Sequence, residues 1–432
     1  MTEVVKVTAL YCAQGMCNWL EYYANKTDTV PTALAILDLG GKGLLKERAV
    51  EFMVDRLKKF PADKQVIQLC VISHQDDDHW LLIDPFRNAV SAASLTDVKI
   101  TKIWLGGTKW ITRSKRAVKR LKDTFGAEMA NFATSYTDYD GKDTEILKQG
   151  TLRIRVIITN NPCNETANDL ITNGTSAIVA VEMGGNSIIL PGDATYETMA
   201  AATAIYGKTG PPKPCFGMSL PHHGALRTAV KGYSKDKKIE EMTFTEVDGF
   251  INATKPAHLV ASAGPRNTHN HPVKELLERF EEANVKGSDE EHYLQGFNFD
   301  RDKWEVLERV IPSWTTVSYN YVPPPDPTPP DPTPTPTPTP APAAAPTSGT
   351  TFVVGARRGG KKRKRKSEEV SSEYQFYTKN VEYTLESTGV TAVREVVVTP
   401  VTTVSPEPAR MAPPPTAEET AAHAARTGDA TG

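Results

Sequence analysis

The sequence predicts an α/β layered fold, with helices packed outside β-sheets. Three observations carry that expectation. Short apolar runs of strand character outnumber stretches with helical spacing. The two kinds are mixed along the chain rather than segregated into separate halves. The pattern stops at Pro323, where the composition changes abruptly, so a globular part is followed by something of another kind.

The first element is a strand over residues 4–10, VVKVTAL, and the next is a strand over Ala33–Leu39. Residues 46–60 place Val50, Phe52, Met53 and Leu57 at helical spacing and stop at Pro61. Val66–Ile72 is a strand broken only by Gln68, and Lys99–Leu105 is another, ending at Gly106-Gly107. Residues 116–125 read as a helix. Leu152–Ile158, residues 176–181 and Asn186–Leu190 read as strands, with a hairpin at Gly184-Gly185 between the last two. Residues 216–220 and His258–Ala261 are short strands, and residues 273–283 are a helix.

Composition bounds the function. At 432 residues, 39% apolar and 24% charged, the chain supports one or two packed domains plus tails. A net charge of −2 gives no whole-chain attraction for nucleic acid. The five cysteines, Cys12, Cys17, Cys70, Cys163 and Cys215, are scattered and make no CxxC pair, which points to reduced thiols and a cytoplasmic location. The N-terminal stretch lacks a basic region followed by an apolar one, so no signal peptide is expected. No run of about 18 apolar residues exists, so no membrane span is expected either.

Beyond the break, residues 323–346 are proline-rich and read as an extended, semi-rigid spacer of about 3.1 Å per residue. Residues 347–432 open with a basic block: Arg357, Arg358, Lys361, Lys362, Arg363, Lys364, Arg365 and Lys366. Such a block is a candidate for contact with the phosphates of DNA or RNA. Residues 373–404 are rich in Tyr, Thr and Val, make candidate strands, and offer a protein partner a place for strand addition. The last stretch has the composition of a disordered tail. The expected organisation is therefore a domain at 1–322, stable by itself, then a linker at 323–346 and a tail at 347–432.

The chemistry gathers where strands end. In VISHQDDDHW, residues 71–80, an apolar strand runs into two histidines and three consecutive aspartates. Carboxylates that close repel unless a cation sits among them, and His74, Asp76, Asp78 and His79 are all metal donors. LPGD ends another strand at Asp193, PHHG places His222 and His223 after a third, and HNHP places His269 and His271 after a fourth. A lone histidine is usually structural and a lone acidic turn is usually solvated. Six of nine histidines at or just after strand ends point instead to a metal centre.

These motifs carry a resemblance. The sequence resembles the metallo-β-lactamase superfamily of hydrolases, whose His-x-His-x-Asp-His motif it matches with Asp76 in place of the second histidine. The His-x-Asp-x-Asp-His form, preceded by Ser73, is similar to the soluble nuclease-like domain of ComEC-type competence proteins. Ala13-Gln14-Gly15 resembles the VGQGD stretch of that domain, and Leu37-Asp38-Leu39-Gly40 its early Asp-x-Gly strand end. NGTSAIV followed by LPGD resembles NNxSLVL…LLTGD, while PHHGA and SAG…NHP resemble PHHGS and SVG…GHP. The likeness runs in order over residues 5–285. It departs at Trp80, Ala225 and Asn270, where the pattern has a small residue, Ser and Gly, and it lacks a membrane channel, so DNA uptake is not implied.

The resemblance implies an αββα sandwich holding two divalent ions, manganese or zinc. His74 and Asp76 are then expected on one ion, Asp78 and His79 on the other, and Asp193 between them. His271 is the late ligand, and His222 or His223 completes the first site or positions substrate. Asp78, Asp193 and His223 form the expected catalytic set, supported from behind by Asp38, Asn173 and Ser176. The implied activity is that of a metal-dependent phosphodiesterase or nuclease using a two-metal-activated hydroxide. The carboxylate of Asp76 shifts the expected preference from zinc toward manganese. Hydrolysis of a small ester, lactam or thioester is the first alternative, and a metal-containing interaction module recruited through its tail is the second.

Overall fold

A computed structural model describes residues 1–43, 45–131, 145–162, 167–209, 214–234, 236–264, 271–283, 294–298, 303–307, 313–321 and 374–399. In chain order the strands are β1 (Val4–Ala9), β2 (Cys17–Tyr23), β3 (Ala33–Leu39), β4 (Val66–Ile72), β5 (Lys99–Leu105), β6 (Glu128–Asn131), β7 (Glu145–Gln149), β8 (Leu152–Ile158) and β9 (Ile178–Met183). They continue as β10 (Asn186–Leu190), β11 (Cys215–Ser219), β12 (His258–Ala261), β13 (Leu294–Asn298), β14 (Lys303–Leu307), β15 (Ser313–Thr315), β16 (Val317–Tyr321), β17 (Tyr374–Glu386) and β18 (Thr391–Thr399). The helices are α1 (Arg48–Lys58), α2 (Ile83–Ala92), α3 (Thr112–Phe125), α4 (Asn168–Gly174), α5 (Tyr196–Thr209), α6 (Leu226–Ala229), α7 (Thr245–Thr254) and α8 (Lys274–Glu282).

Two sheets carry the fold. The first has the order β16-β17-β1-β2-β3-β4-β5-β6, with β18 also paired to β17, and the second has the order β15-β12-β11-β10-β9-β8-β7. Side-chain alternation sorts each strand between two layers. Val5, Val7, Leu37, Leu69 and Val71 of the first sheet meet Ile154, Val156, Val179, Val181, Ile188 and Leu190 of the second in one apolar layer. The other face of the first sheet, with Trp19, Ile36, Ile67, Cys70 and Ile72, packs on α1, α2 and α3. The other face of the second sheet, with Ala180, Ile189, Met218 and Leu259, packs on α5, α7 and α8. The expected αββα sandwich is therefore present. Strands buried on both faces read as nearly unbroken apolar runs, which is why β4 was legible as VIQLCVI. Among the described residues, no helix is long and apolar enough to cross a membrane.

Two kinds of element escape the sequence. Strand β2 is buried throughout yet contains Glu21. That carboxylate accepts from Arg56 Nε at 2.6 Å, Arg56 Nη2 at 2.8 Å, Trp19 Nε1 at 2.8 Å and Tyr23 Oη at 2.7 Å. Burial works against its charge, and Arg56 outweighs burial, holding the group below the usual carboxylate range. Helix α5 is rich in alanine and has little one-sidedness, so it gives no helical pattern.

The end of the globular part also differs from expectation. The sequence places it at residue 322, but residues on both sides of the 320–375 stretch belong to one compact unit. The candidate strands at 373–404 are β17 and β18, and β17 pairs antiparallel with β1, from Val4 opposite Glu386 to Ala9 opposite Val381. Val381, Tyr383 and Leu385 fill the layer between the sheets. A polar spacer hides this, because pairing across a long gap leaves no local signal.

Tyr383 is 1% exposed, and its ring lies so close to Gly217 that an added Cβ there would come within 2.7 Å. Tyr383→Ala is therefore expected to cost about 3–5 kcal/mol of unfolding free energy. Urea denaturation of the full chain measures it. A loss below about 1 kcal/mol would mean that β17 is not part of the core.

Candidate metal centre

Parallel pairing decides where the centre forms. β3, β4 and β5 run parallel, and so do β10, β11 and β12. Their carboxyl ends therefore open in common directions, and the loops that leave them collect side chains, as in other α/β sheets. From the first sheet come Asp38 and residues 73–79. From the second come Asp193, His222, His223, Ser262 and His271. The loops meet closely: a Cβ on Gly40 would lie 1.8 Å from the carbonyl oxygen of Asp78. The Asp-x-Gly strand end thus needs glycine for contact, not for conformation.

Asp193 is the hub. It is 1% exposed and touches four imidazoles. Oδ1 lies 2.9 Å from His79 Nε2 and 3.4 Å from His223 Nε2. Oδ2 lies 3.1 Å from His222 Nε2 and 3.6 Å from His74 Nε2. Asp78 Oδ2 is 3.6 Å from His223 Nε2, and Asp76 Oδ2 is 3.8 Å from His74 Nε2. The His271 ring centroid sits 5.3 Å from that of His222 and 6.3 Å from that of His223. All eight residues singled out as metal donors thus converge, with Asp76 and His271 at the margin.

An outer ring fixes the histidines. Asp38 Oδ2 lies 3.0 Å from His79 Nδ1, while Asp38 also accepts from Ser73 N at 2.6 Å and Ser73 Oγ at 2.9 Å. His223 Nδ1 donates to the Ser262 carbonyl at 2.9 Å. A carboxylate and a carbonyl only accept, so both rings carry their proton on Nδ1 and turn the Nε2 lone pair inward. Ser73 Oγ lies 3.1 Å from both His74 Nδ1 and His79 Nδ1. Ser176 Oγ is 3.4 Å from His74 Nδ1 and accepts from Asp193 N at 3.1 Å. His222 Nδ1 lies 2.9 Å from Thr228 Oγ1, and His271 Nδ1 lies 3.2 Å from Gln14 Nε2. Asn173 is buried and contributes its carbonyl to Ser176 N. The backbone is strained here. Asp38, His222 and His223 have φ of 63°, 43° and 53°, a region that costs a non-glycine residue about 1–3 kcal/mol.

The arrangement fits a cation. His74 Nε2, His79 Nε2, His223 Nε2 and Asp193 Oδ1 are all buried, and none makes a well-directed hydrogen bond, the 2.9 Å approach of Asp193 Oδ1 to His79 Nε2 being an ion-pair contact. Buried polar atoms are normally paired, so four converging exceptions define a missing partner, and the donors are those a divalent metal takes. Two groups have ligand atoms within 4.8 Å of one another: His74, His79 and Asp193, and Asp78, His79 and His223. Electrostatics agree. Burial opposes the charge on Asp193, but His222, His79 and His223 outweigh it and hold the carboxyl well below its usual range. Burial likewise opposes a charged His79, and Asp193 and Asp38 outweigh it and raise the ring's pKa well above normal. Burial also opposes the charge of Asp76, and His74 outweighs it, lowering that carboxyl. His222 goes the other way: burial lowers its pKa against the pull of Asp193.

Ser73, Ser262, Thr228 and Gln14 are the residues whose roles the sequence did not give. Ser73, Gln14 and Ser262 stand inside noticed motifs, but nothing in the sequence says what they touch. Cys163, His269, Asn270 and the basic residues 357–366 lie outside the described residues.

No protein-family model matches the chain, and no curated protein does. Solved structures similar to it include the metallo-β-lactamase fold protein YhfI from Bacillus subtilis, at 13% identity and a TM-score of 0.37 over 64% of this chain and 93% of that one. Unliganded yeast PDE1 is similar at 12% identity and a TM-score of 0.38, over 65% of this chain and 95% of that one. The metallo-β-lactamase FIM-1 from Pseudomonas aeruginosa, in its mono-zinc form, is similar at 14% identity and a TM-score of 0.23, over 49% and 81%. Likeness at such scores carries no weight for activity, and the chemistry of the centre rests on this chain's own residues.

Asp38→Ala leaves His79 free to turn and is expected to weaken divalent-metal binding about 10–100-fold. Competition against a chromophoric chelator reads this directly. Unchanged affinity would reduce Asp38 to a strand-end residue.

Proposed function

We propose that the chain is a metal-dependent hydrolase that cleaves phosphodiesters. The observation that carries the proposal is the convergence on one point of four buried donor atoms without a well-directed hydrogen bond: three imidazole nitrogens and the Asp193 carboxylate. Divalent ions held there would polarise a phosphoryl oxygen and make water nucleophilic near neutral pH. The preference for phosphodiesters comes from the donor set. Asp76, Asp78 and Asp193 are hard oxygen donors, which suit manganese or magnesium better than an all-histidine set does. The likeness of the strand-end motifs to the nuclease-like domain of ComEC-type proteins supports the same substrate class.

The chain's own residues divide the work. Asp38 and the Ser262 carbonyl hold protons on Nδ1 of His79 and His223, so both rings present a lone pair. Asp193 sets the spacing of the imidazoles around it. A single ring nitrogen has one lone pair, so His79 serves only one of the two donor groups, and a second ion draws on Asp78 and His223 with Asp76, His222 or His271. Access has a direction. The side chains of His74, His79 and His223 are 0% exposed, whereas those of His222, Asp78 and Asp76 are 15%, 18% and 39% exposed. Substrate reaches the centre from the side of those three.

The purified chain is expected to hold up to two divalent ions and to melt higher when manganese or zinc is added. Elemental analysis without transition metal, together with a melting temperature indifferent to both ions, would remove the basis of the proposal.

Asp193→Ala is expected to lower phosphodiester turnover at least about a thousandfold, to the residual level, while circular dichroism shows the fold retained. Turnover near the wild-type rate would place the reaction elsewhere.

Metal choice tests the role of ligand hardness separately. Metal-free protein is given each ion in turn with bis-p-nitrophenyl phosphate. Manganese is expected to give the highest rate, and Asp76→His to move the order toward zinc. An order that the substitution leaves unaltered would show that Asp76 does not govern the choice.

A further inference from the structure

Helix α3 carries a charge pattern that the metal centre does not use. Residues 109–122, KWITRSKRAVKRLK, hold seven Lys and Arg and no Asp or Glu. The helix buries Ser114, Ala117, Val118, Leu121 and Phe125 against the first sheet. That spacing leaves Lys115, Arg116 and Lys119 exposed on the solvent side, with Lys122 half-buried on its flank. Three of the cations already have carboxylates: Arg113 pairs with Asp77, Arg120 with Asp84, and Lys119 with Asp123. Among the described residues, Lys109, Lys115, Arg116 and Lys122 have none.

The row begins at the metal centre. Arg113 Nη1 lies 3.2 Å from Asp77, which stands between the donors Asp76 and Asp78, and its guanidinium sits 5.4 Å from the Trp80 ring centroid. The loop that leads into the helix lies flush on the motif: a Cβ on Gly107 would come within 1.9 Å of Gln75 Oε1 and 3.2 Å of the His74 Cα. From Thr112 to Lys122 the helix rises about 15 Å, long enough to follow several phosphates of one strand.

We infer that the solvent face of α3 is a track for the phosphodiester backbone of a nucleic-acid strand, leading the strand to the metal centre. The inference rests on the phosphodiesterase reading and narrows its substrate to a polymer. A nucleotide or small diester would gain nothing from cations spread along a helix. An anionic membrane is a poorer occupant, because a helix lying in a lipid surface buries its apolar face there, and α3 has already buried that face in the core.

The test is salt-dependent binding of fluorescent 20-nucleotide single-stranded DNA and RNA to the full chain, read by anisotropy. The variant Lys115→Ala/Arg116→Ala/Lys122→Ala is compared with Lys58→Ala/Lys64→Ala/Lys208→Ala, which removes three exposed cations elsewhere. The first is expected to weaken binding at least about 10-fold at low salt and to reduce the slope of log K against log salt by about 2. The second should leave both as in the wild type. The DNA and RNA arms show which polymer the track accepts. An α3 variant with wild-type affinity and slope for both polymers overturns the inference, and so does a variant that loses only binding to vesicles containing phosphatidylserine. Failure of the phosphodiesterase reading shows separately, as absence of bis-p-nitrophenyl phosphate turnover by the wild type with every ion tried.

Discussion

A carboxylate that is 1% exposed cannot remain charged without positive charge beside it, and Asp193 is such a group. Much of the local structure answers that requirement. Four imidazoles gather around it, from loops that leave both sheets. Two of them are steered by an acceptor on the far ring nitrogen, Asp38 for His79 and the Ser262 carbonyl for His223. Asp38, His222 and His223 accept left-handed backbone to reach these positions. Strain concentrated on the groups around one buried charge is what a site built for a ligand costs, and the core alone gives no reason for it.

The sandwich is what makes such a gathering possible. Among the described residues, the layer between the sheets is built from apolar side chains. It does, however, hold two sets of parallel strands in one body, so that loops distant in sequence share an end. His74 and Asp193 are far apart along the chain, yet their side chains are 3.6 Å apart. The register of the first sheet is itself supported from beyond the proline-rich stretch, since β17 covers the edge that β1 would otherwise leave open. Lys379, 2% exposed and 2.6 Å from Glu395, fixes β17 to β18 with a buried charge pair of the same kind as Glu21 with Arg56.

Legibility in the sequence depended on how local each signal is. β4, β5, β8, β10 and β12 were read to the residue, because a buried strand ending at a glycine or a polar knot announces both its body and its end. The candidate metal donors stood out for the same reason: they sit at or just after those ends. What could not be read depends on partners far along the chain. β2 hides a charge whose counter-ion, Arg56, stands 35 residues further on. β17 finds β1 across more than 350 residues. Thr228 and Ser262 hold His222 and His223 through one hydrogen bond each; Thr228 stands in no motif, and the SAG motif that contains Ser262 does not say what its carbonyl touches.

Net charge was the least informative quantity of all. At −2 for 432 residues it speaks against a polyanionic partner, but a sum over the whole chain is taken on the wrong length scale. At physiological ionic strength, exposed charges act over about 8 Å, so a bound phosphate responds to the few side chains near it and not to the chain's sum. Along residues 109–122 the sign is uniform, and the three carboxylates beside them, Asp77, Asp84 and Asp123, each pair with one cation and leave four others over. The same locality explains the contrast between the two cationic features of the site. A buried centre needs compact charge, met here by four imidazoles around one carboxylate, because low dielectric makes each unpaired group costly. A polymer needs spaced charge, met by lysines and arginines on a solvated helix, where each contact is weak and the number of contacts sets the affinity.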